Sequence, residues 1–389
     1  MAVRAVLVVY CIGIFAALDF LYSSFLHDSG LSPHIPSASY HHGLLRNFSG
    51  YDNWGDHRYA FHTNSLGFRD GAIREVAKTS SLHRTLLIGD SFTEGTGVSF
   101  DQSYAGLLQA AGLKQTVKID FLNAGVISYS PSLYFRKIKS LLDDGLRFDE
   151  VVLFSDVSDV RDDATKYFCH DDDPRYARYC DPSERQFFDS LCQAGDAAAR
   201  RACNDGDHFA YVQPGLGAWL LRHFVMSNSL RLMAKFEIQT LTGNEKKRVL
   251  NRTPETAWVF GEPPDSSEYA PLGPEGGIAR SLKNMRALAD LLKTNHIPLT
   301  IVVYPWPAQI ALRDRNSRQV RIWQDFCANN CKAFINLFPL FFDAAAARDD
   351  WYETYFIFGD FHYSPAGHRL MYRGLAERLL AAPADRSHD

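Results

Sequence analysis

The spacing of apolar residues changes along the chain. From Arg84 onward, short continuous apolar runs alternate with segments whose apolar residues recur every three to four positions. That is the pattern of buried strands alternating with amphipathic helices. Thr85 to Ile88 predicts a strand, Tyr104 to Ala111 a helix, Val117 to Leu122 a second strand, and Val151 to Phe154 a third. Ser130-Pro131 offers an N-cap and a first-turn proline to a helix whose apolar face uses Tyr134, Ile138, Leu141 and Leu142. The alternation stops near residue 161 and resumes at Arg280 to Leu292, where Leu282, Met285, Ala289 and Leu292 share one face. Leu299 to Tyr304 is the next strand, a helix passes through Trp323 and Phe326, and Ala333 to Leu337 is a short strand. Ser364-Pro365 then opens a last helix reaching Leu380. Strands alternating with helices predict an α/β layer on a mostly parallel sheet.

The first thirty residues follow neither period. Arg4 precedes the apolar stretch Ala5 to Leu18, followed by Asp19 and by Phe20 to Leu26. Taken to Leu26, the run matches the roughly 20 residues of one bilayer crossing. Small residues suited to cleavage come only at Ser37-Ala38-Ser39, so an uncleaved signal anchor fits better than a cleaved signal peptide, with a buried soluble helix as the remaining reading. Arg4, with no acidic residue before the run, places the N-terminus in the cytoplasm and the rest outside it.

Composition adds two limits. In 389 residues, 41 Lys and Arg stand against 45 Asp and Glu, a net charge of −4 that argues against a non-specific nucleic-acid binder. A hydrophobic share of 46% excludes a disordered chain. Of the seven cysteines, Cys11 falls in the apolar run. The other six form close pairs, Cys169 with Cys180, Cys192 with Cys203, and Cys327 with Cys331, and neighbouring disulfides are the pairing expected in an oxidising compartment. A metal centre on Cys169, His170 and Asp171 to Asp173 is the competing reading of that stretch. The predicted organisation is a signal anchor at 1–27, an approach segment at 28–80, core at 81–160, a disulfide-stapled insertion at 161–278 containing a helix from Asn228 to Leu241, and core at 279–389.

Chemistry concentrates at two places. The first predicted strand runs into Gly89-Asp90-Ser91-Phe92, which puts a serine hydroxyl at the carboxyl end of a core strand, where open α/β sheets place their sites. Before the last helix, Asp360-Phe361-His362 spaces a carboxylate two residues from an imidazole, so that in an extended loop Asp360 reaches Nδ1 and His362 presents Nε2 to Ser91. Tyr304 and Trp306, after a core strand, are weaker candidates for stacking on a sugar. His41 and His42 read as a polar loop, His368 as packing, and Asp162, Asp163 and Asp171 to Asp173 as solvated surface.

On these motifs the chain resembles the SGNH (GDSL-type) hydrolase superfamily, in particular its exported bacterial esterases and polysaccharide O-acetyltransferases. Gly89-Asp90-Ser91-Phe92 and Asp360-x-His362 match the first and last family blocks, Asn123-Ala124-Gly125-Val126 resembles the second, and Thr63 to Asp70 resembles the segment ahead of the nucleophile block. The resemblance covers about residues 60–160 and 280–380 and implies a three-layer α/β/α, flavodoxin-like fold. It also implies a Ser91, His362, Asp360 triad with oxyanion donors at the Ser91 and Gly125 N–H groups. The third block departs from the family: in Phe154-Ser155-Asp156-Val157-Ser158-Asp159, Ser158 replaces the usual Asn, leaving a shorter and freely rotating donor. The expected activity is ester hydrolysis or O-acyl transfer on an acylated carbohydrate or other ester, at the periplasmic face of a bacterial inner membrane, with no cofactor, no metal and no nucleic acid. The alternative is a catalytically weak scaffold that binds glycan or partners in an envelope polysaccharide assembly.

Overall fold

The computed structural model describes residues 2–23, 33–37, 39–55, 57–169, 180, 224, 226–227, 230–231, 244–260 and 266–380. The chain opens with helix α1 (Ala2–Leu21) and two short strands, β1 (His34–Ser37) and β2 (His41–Leu44). Next come β3 (Ser49–Trp54), β4 (His57–Thr63), β5 (Arg69–Asp70), β6 (His83–Ile88), α2 (Ser91–Glu94), α3 (Tyr104–Gly112), β7 (Ile119–Asn123), α4 (Pro131–Asp143), β8 (Glu150–Ser155) and α5 (Asp159–Thr165). The described remainder holds α6 (Asn244–Leu250), α7 (Gly273–Thr294), β9 (Leu299–Val303), α8 (Pro307–Ala311), α9 (Arg318–Asn330), β10 (Ala333–Asn336), α10 (Phe338–Ala346), α11 (Trp351–Tyr355) and α12 (Pro365–Leu379).

One sheet carries the fold, in the order β10-β9-β8-β6-β7-β5-β4-β3. The five strands from β10 to β7 are parallel, and β7, β8 and β9 are buried along their whole length. Burial on both faces is why they read as continuous apolar runs in the sequence. The chain steps from β6 to β7 through α3, then crosses back over β6 to β8 through α4. Right-handed crossovers in opposite directions place those two helices on opposite faces of the sheet. Helix α12 packs on α3, whereas α7 packs on α4 and α5, which completes three layers.

Three antiparallel strands extend this sheet. β5 pairs with β7 at Arg69 opposite Asn123, β4 pairs with β5, and β3 forms one edge, opposite β10. The sequence reading gives this region only as an approach segment, with no strands predicted in it. Arg69 explains its attachment: the guanidinium is buried, lies 4.0 Å over the Phe61 ring, and donates to the carbonyls of Ala60, Glu94, Gly95 and Val98. The N-terminal strands are thereby bonded to the last turn of α2.

Several expectations are corrected. For the predicted anchor, α1 is described over Ala2–Leu21 and residues 24–26 of the apolar run lie outside the described residues; among the described residues no helix is long and apolar enough to cross a membrane. Asp19 is buried and accepts hydrogen bonds from Ser23 Oγ (3.0 Å), Met226 N (2.9 Å), and Ser227 N (2.7 Å) and Oγ (2.5 Å). Asp162 and Asp163 are buried rather than solvated. Asp163 accepts from Ser130 Oγ, Ser132 N and Ser281 Oγ, and so ties α4, α5 and α7 together. The first residues of the expected insertion therefore pack on the core. Cys169–Cys180 and Cys327–Cys331 are disulfides and Cys11 is free, while Cys192 and Cys203 lie outside the described residues. Pairing with Cys180 removes the Cys169 thiolate from the metal reading; His170 and Asp171 to Asp173 lie outside the described residues, as does the predicted Asn228 to Leu241 helix apart from Leu230 and Arg231.

Replacing Arg69 with methionine keeps the stem but removes the hydrogen bonds to the Ala60, Glu94 and Val98 carbonyls, and one of the two at Gly95 O, at about 1 kcal/mol for each bond lost. Arg69→Met is expected to lower unfolding free energy by about 3 kcal/mol, read as a reduced midpoint in urea with an unchanged slope.

Candidate active site

Ser91 sits where β6 turns into α2. Gly89 has no room for a side chain, because a Cβ there would collide with Thr93 and press on Phe154. Asp90 caps α2, its Oδ1 accepting from Phe92 N at 3.0 Å. At the far end of the chain, residues 356 to 363 form a tight loop rather than an extended one. Ile357 N donates to His362 O, Asp360 N donates to Ile357 O, and Phe356 bridges Tyr363. Gly359, at φ 75°, makes the bend. Asp360 Oδ1 accepts from both the backbone N (2.8 Å) and the ring Nδ1 (2.6 Å) of His362. His362 Nε2 lies 2.8 Å from Ser91 Oγ.

The three side chains expected to act together are therefore in one hydrogen-bonded line. His362 is 2% exposed and Ser91 6%. Burial raises the Asp360 carboxyl, but the charge of His362, its two hydrogen bonds and one from Trp54 outweigh that and bring it down to about 2. Asp360 stays ionised and fixes the Nδ1–H tautomer, which leaves Nε2 free to accept a proton from Ser91.

The expected oxyanion donors fare differently. The Ser91 N–H opens α2 and has no hydrogen-bond partner among the described residues. The Gly125 N–H is given to Asn123 Oδ1 at 3.1 Å. Gly125 is required instead for close approach, since a Cβ there would lie 2.6 Å from Thr93 Cβ. The Ser158 hydroxyl and N–H both go to Asp156 Oδ1, at 2.6 and 2.7 Å, so its donor capacity is spent inside the protein.

Tyr304 and Trp306 are 0% and 3% exposed, which corrects their assignment to sugar stacking. The Tyr304 hydroxyl donates to Asp90 Oδ1 (3.3 Å) and Trp306 Nε1 donates to Asp156 Oδ2 (2.6 Å). The outer face of Trp306 is covered by Phe361, with ring centroids 4.0 Å apart. These aromatics serve a buried acidic group. Asp159 completes it, accepting from Ser155 Oγ, Asp156 N and the Tyr134 hydroxyl. Burial, reinforced by mutual repulsion with Asp156, lifts Asp90 well above the ordinary carboxyl range, and burial raises Asp156 and Asp159 too. Asp90 Oδ2 lies 3.4 Å from Ser91 Oγ, so this group backs directly onto the serine.

His368 is buried with Nδ1 accepting from Tyr104 N, and burial lowers it to about 3, in keeping with packing. His42 is half-buried rather than part of a free loop; one ring nitrogen bonds the Ile127 carbonyl and burial lowers it to about 4. The sequence reading missed Trp54, whose Nε1 donates to Asp360 Oδ2 at 3.0 Å, and His34, whose Nε2 lies 3.0 and 3.1 Å from the two Glu94 oxygens. Neither belongs to a motif or an apolar period that could have marked it.

Among the described residues, His34, Asp52 and Glu94 bring ligand atoms within 4.8 Å of one another. Glu94 is already engaged by His34 and by Ile127 N, Asp52 accepts from the Tyr59 hydroxyl, and the charge of buried Arg69 acts on both carboxylates and on His34. That arrangement pairs His34 with Glu94 and sets the Arg69 charge against both carboxylates.

No family model matches the chain, and no curated protein matches its sequence. Solved structures similar to it include TesA, at 11% identity and TM-score 0.38, with 76% of this chain and 97% of that one covered. A catalytic mutant of Axe2, an acetylxylan esterase from Geobacillus stearothermophilus, is 12% identical at TM-score 0.37, covering 78% and 96%. LAE5, an alpha/beta hydrolase enzyme from the metagenome of Lake Arreo, is 10% identical at TM-score 0.37, covering 79% and 99%.

The His34–Glu94 pair carries a pH dependence. Burial lowers the His34 imidazole, but Glu94 more than offsets it and holds it above the ordinary 6.5; burial raises Glu94, but His34 and the Ile127 N–H bring it below 4.5. The histidine contribution is complete below 6.5 and disappears as pH rises through the raised folded value, whereas the glutamate contribution disappears as pH falls through its lowered one. His34→Gln is therefore expected to depress Tm more at about pH 5.5 than at about pH 9. Equal depression at both would show that the pair adds no charge-dependent stability.

Proposed function

We propose that this chain is an SGNH-type serine esterase or O-acyltransferase acting on an acyl ester of a cell-envelope or exported glycan. The observation that carries the reading is the line from Asp360 through His362 to Ser91, with spacings of 2.6 and 2.8 Å. Ser91 Oγ attacks the acyl carbonyl as its proton passes to His362 Nε2, and the imidazolium is held by Asp360. The Ser91 N–H stabilises the tetrahedral oxyanion, and its collapse expels the alcohol, which takes the proton back from His362. Water, or a sugar hydroxyl in a transferase, then gives its proton to His362, attacks the acyl-Ser91 ester and releases the acid or the new ester.

Export to the periplasmic side and attachment to the inner membrane through the N-terminal segment belong to the same proposal. Support comes from the apolar run after Arg4, the exposure of Val6, Leu7, Tyr10, Ile12 and Leu18 on α1, and two disulfides beyond it. The glycan substrate follows from that location and from the motif resemblance.

A second reading, a catalytically weak scaffold that binds glycan or partners in an envelope polysaccharide assembly, is favoured by one observation. Gly125 and Ser158 both spend their donors internally. Losing a single oxyanion donor costs about 2.7–4 kcal/mol in transition-state stabilisation.

Turnover of p-nitrophenyl acetate, with and without an oligosaccharide acceptor, separates these readings. The enzyme reading expects Ser91→Ala and His362→Ala each to lower kcat about 1000-fold or more, and acetylated oligosaccharide to accumulate if transfer is the reaction. Turnover no faster than that of Ser91→Ala would favour the scaffold.

A further inference from the structure

We infer that Trp54 is a positioning residue of the triad: its indole N–H fixes the Asp360 carboxylate with Oδ1 toward His362, and its ring confines the imidazole. The inference rests on the esterase reading for its catalytic consequence and on geometry for the contact itself.

Asp360 stands on the bend after Gly359 and its side chain is 22% exposed, so its orientation depends on the donors that hold it. Oδ1 is held by the two nitrogens of His362. Oδ2 takes the Trp54 N–H at 3.0 Å, from a residue 306 positions away in the sequence. A carboxylate with a separate donor on each oxygen has one preferred rotation, and the charge on Oδ2 is partly neutralised. The same indole meets His362 edge-on, with centroids 4.8 Å apart at 81°, while Phe92 lies 4.9 Å from the imidazole at 34°. Between the two rings, His362 keeps the orientation that points Nε2 at Ser91.

The hairpin at the sheet edge supplies this residue. Along β3 the side chains alternate exposed and half-buried, with Gly50, Asp52 and Trp54 on the covered side. Trp54 pairs with His57 at the end of the β3–β4 ladder, and Gly55 at φ 61° turns the chain beyond it. Gly97 leaves space where a Cβ would collide with Ile357 and lie 3.8 Å from Trp54 Cδ1.

The test is Trp54→Phe in the full-length protein, which keeps an aromatic ring and removes the donor, with exposed Tyr51→Ala on the same strand as the control. For p-nitrophenyl acetate, kcat is expected to fall roughly tenfold, as for a lost hydrogen bond to a charged group, with KM nearly unchanged. Without the donor on Oδ2, charge concentrates on Oδ1 and holds the imidazolium proton more tightly. The acid limb of kcat/KM should therefore move to higher pH, as should the titration of the His362 ring followed by NMR in 15N-histidine-labelled protein. A purely packing role would move neither. Wild-type kcat, pH limb and titration in Trp54→Phe would overturn the inference. A shifted titration in a protein whose wild type has no turnover would support the contact while overturning the esterase reading; no shift there would overturn both.

Discussion

The hydrogen bond between Ser91 and His362 joins residues 271 positions apart, and most of the structure around it holds its two ends still. On the serine side, the buried strand β6 ends in a glycine too crowded for any side chain, and Asp90 caps the helix that begins at Ser91. On the histidine side, the Tyr352 hydroxyl donates to the carbonyls of Ile357 and Asp360. Ser364 then caps α12 through Ala366 and Gly367. Because α12 packs on α3, the helix that follows the serine turn in the chain, the two ends share a support. His368 strengthens that contact as a neutral acceptor for Tyr104 N, a state its burial enforces.

The electrostatic arrangement is divided across the serine. In front, Asp360 is ionised and faces the imidazole. Behind it, Asp90, Asp156 and Asp159 crowd into the sheet end where burial and repulsion favour the protonated forms. Tyr134, Tyr304 and Trp306 hydrogen-bond this group. Environment alone shifts these chemically identical side chains in opposite directions, and the carboxyl whose ionised form is favoured is the one that can stabilise an imidazolium.

The core strands were legible in the sequence because burial on both faces leaves an uninterrupted apolar run, as in Val151 to Phe154. The turn at Ser91 and the Asp360–His362 spacing were legible because so few residue types serve that chemistry. The antiparallel edge was not, since Ser49 to Trp54 is half-covered and mixes Gly, Asp and Asn with aromatics, which leaves no apolar period to read. Tyr304 and Trp306 misled because an aromatic at a strand end looks alike whether it faces a ligand or a buried carboxyl. Gly125 illustrates a different failure. Its identity is dictated by contact with Thr93, whereas sequence could only suggest a role for its N–H. Arg69 and Asp163 were hidden because buried charges are specified by partners distant in the chain.

The central claim is that Ser91 is a nucleophile activated by His362. Its most direct measurement is the reaction of the disulfide-bonded protein with a serine-directed organophosphonate, followed by mass spectrometry of the digested peptides. The account predicts a single adduct on Ser91, formed much more slowly in His362→Ala. No adduct, an adduct on another residue, or a labelling rate indifferent to His362 would contradict it.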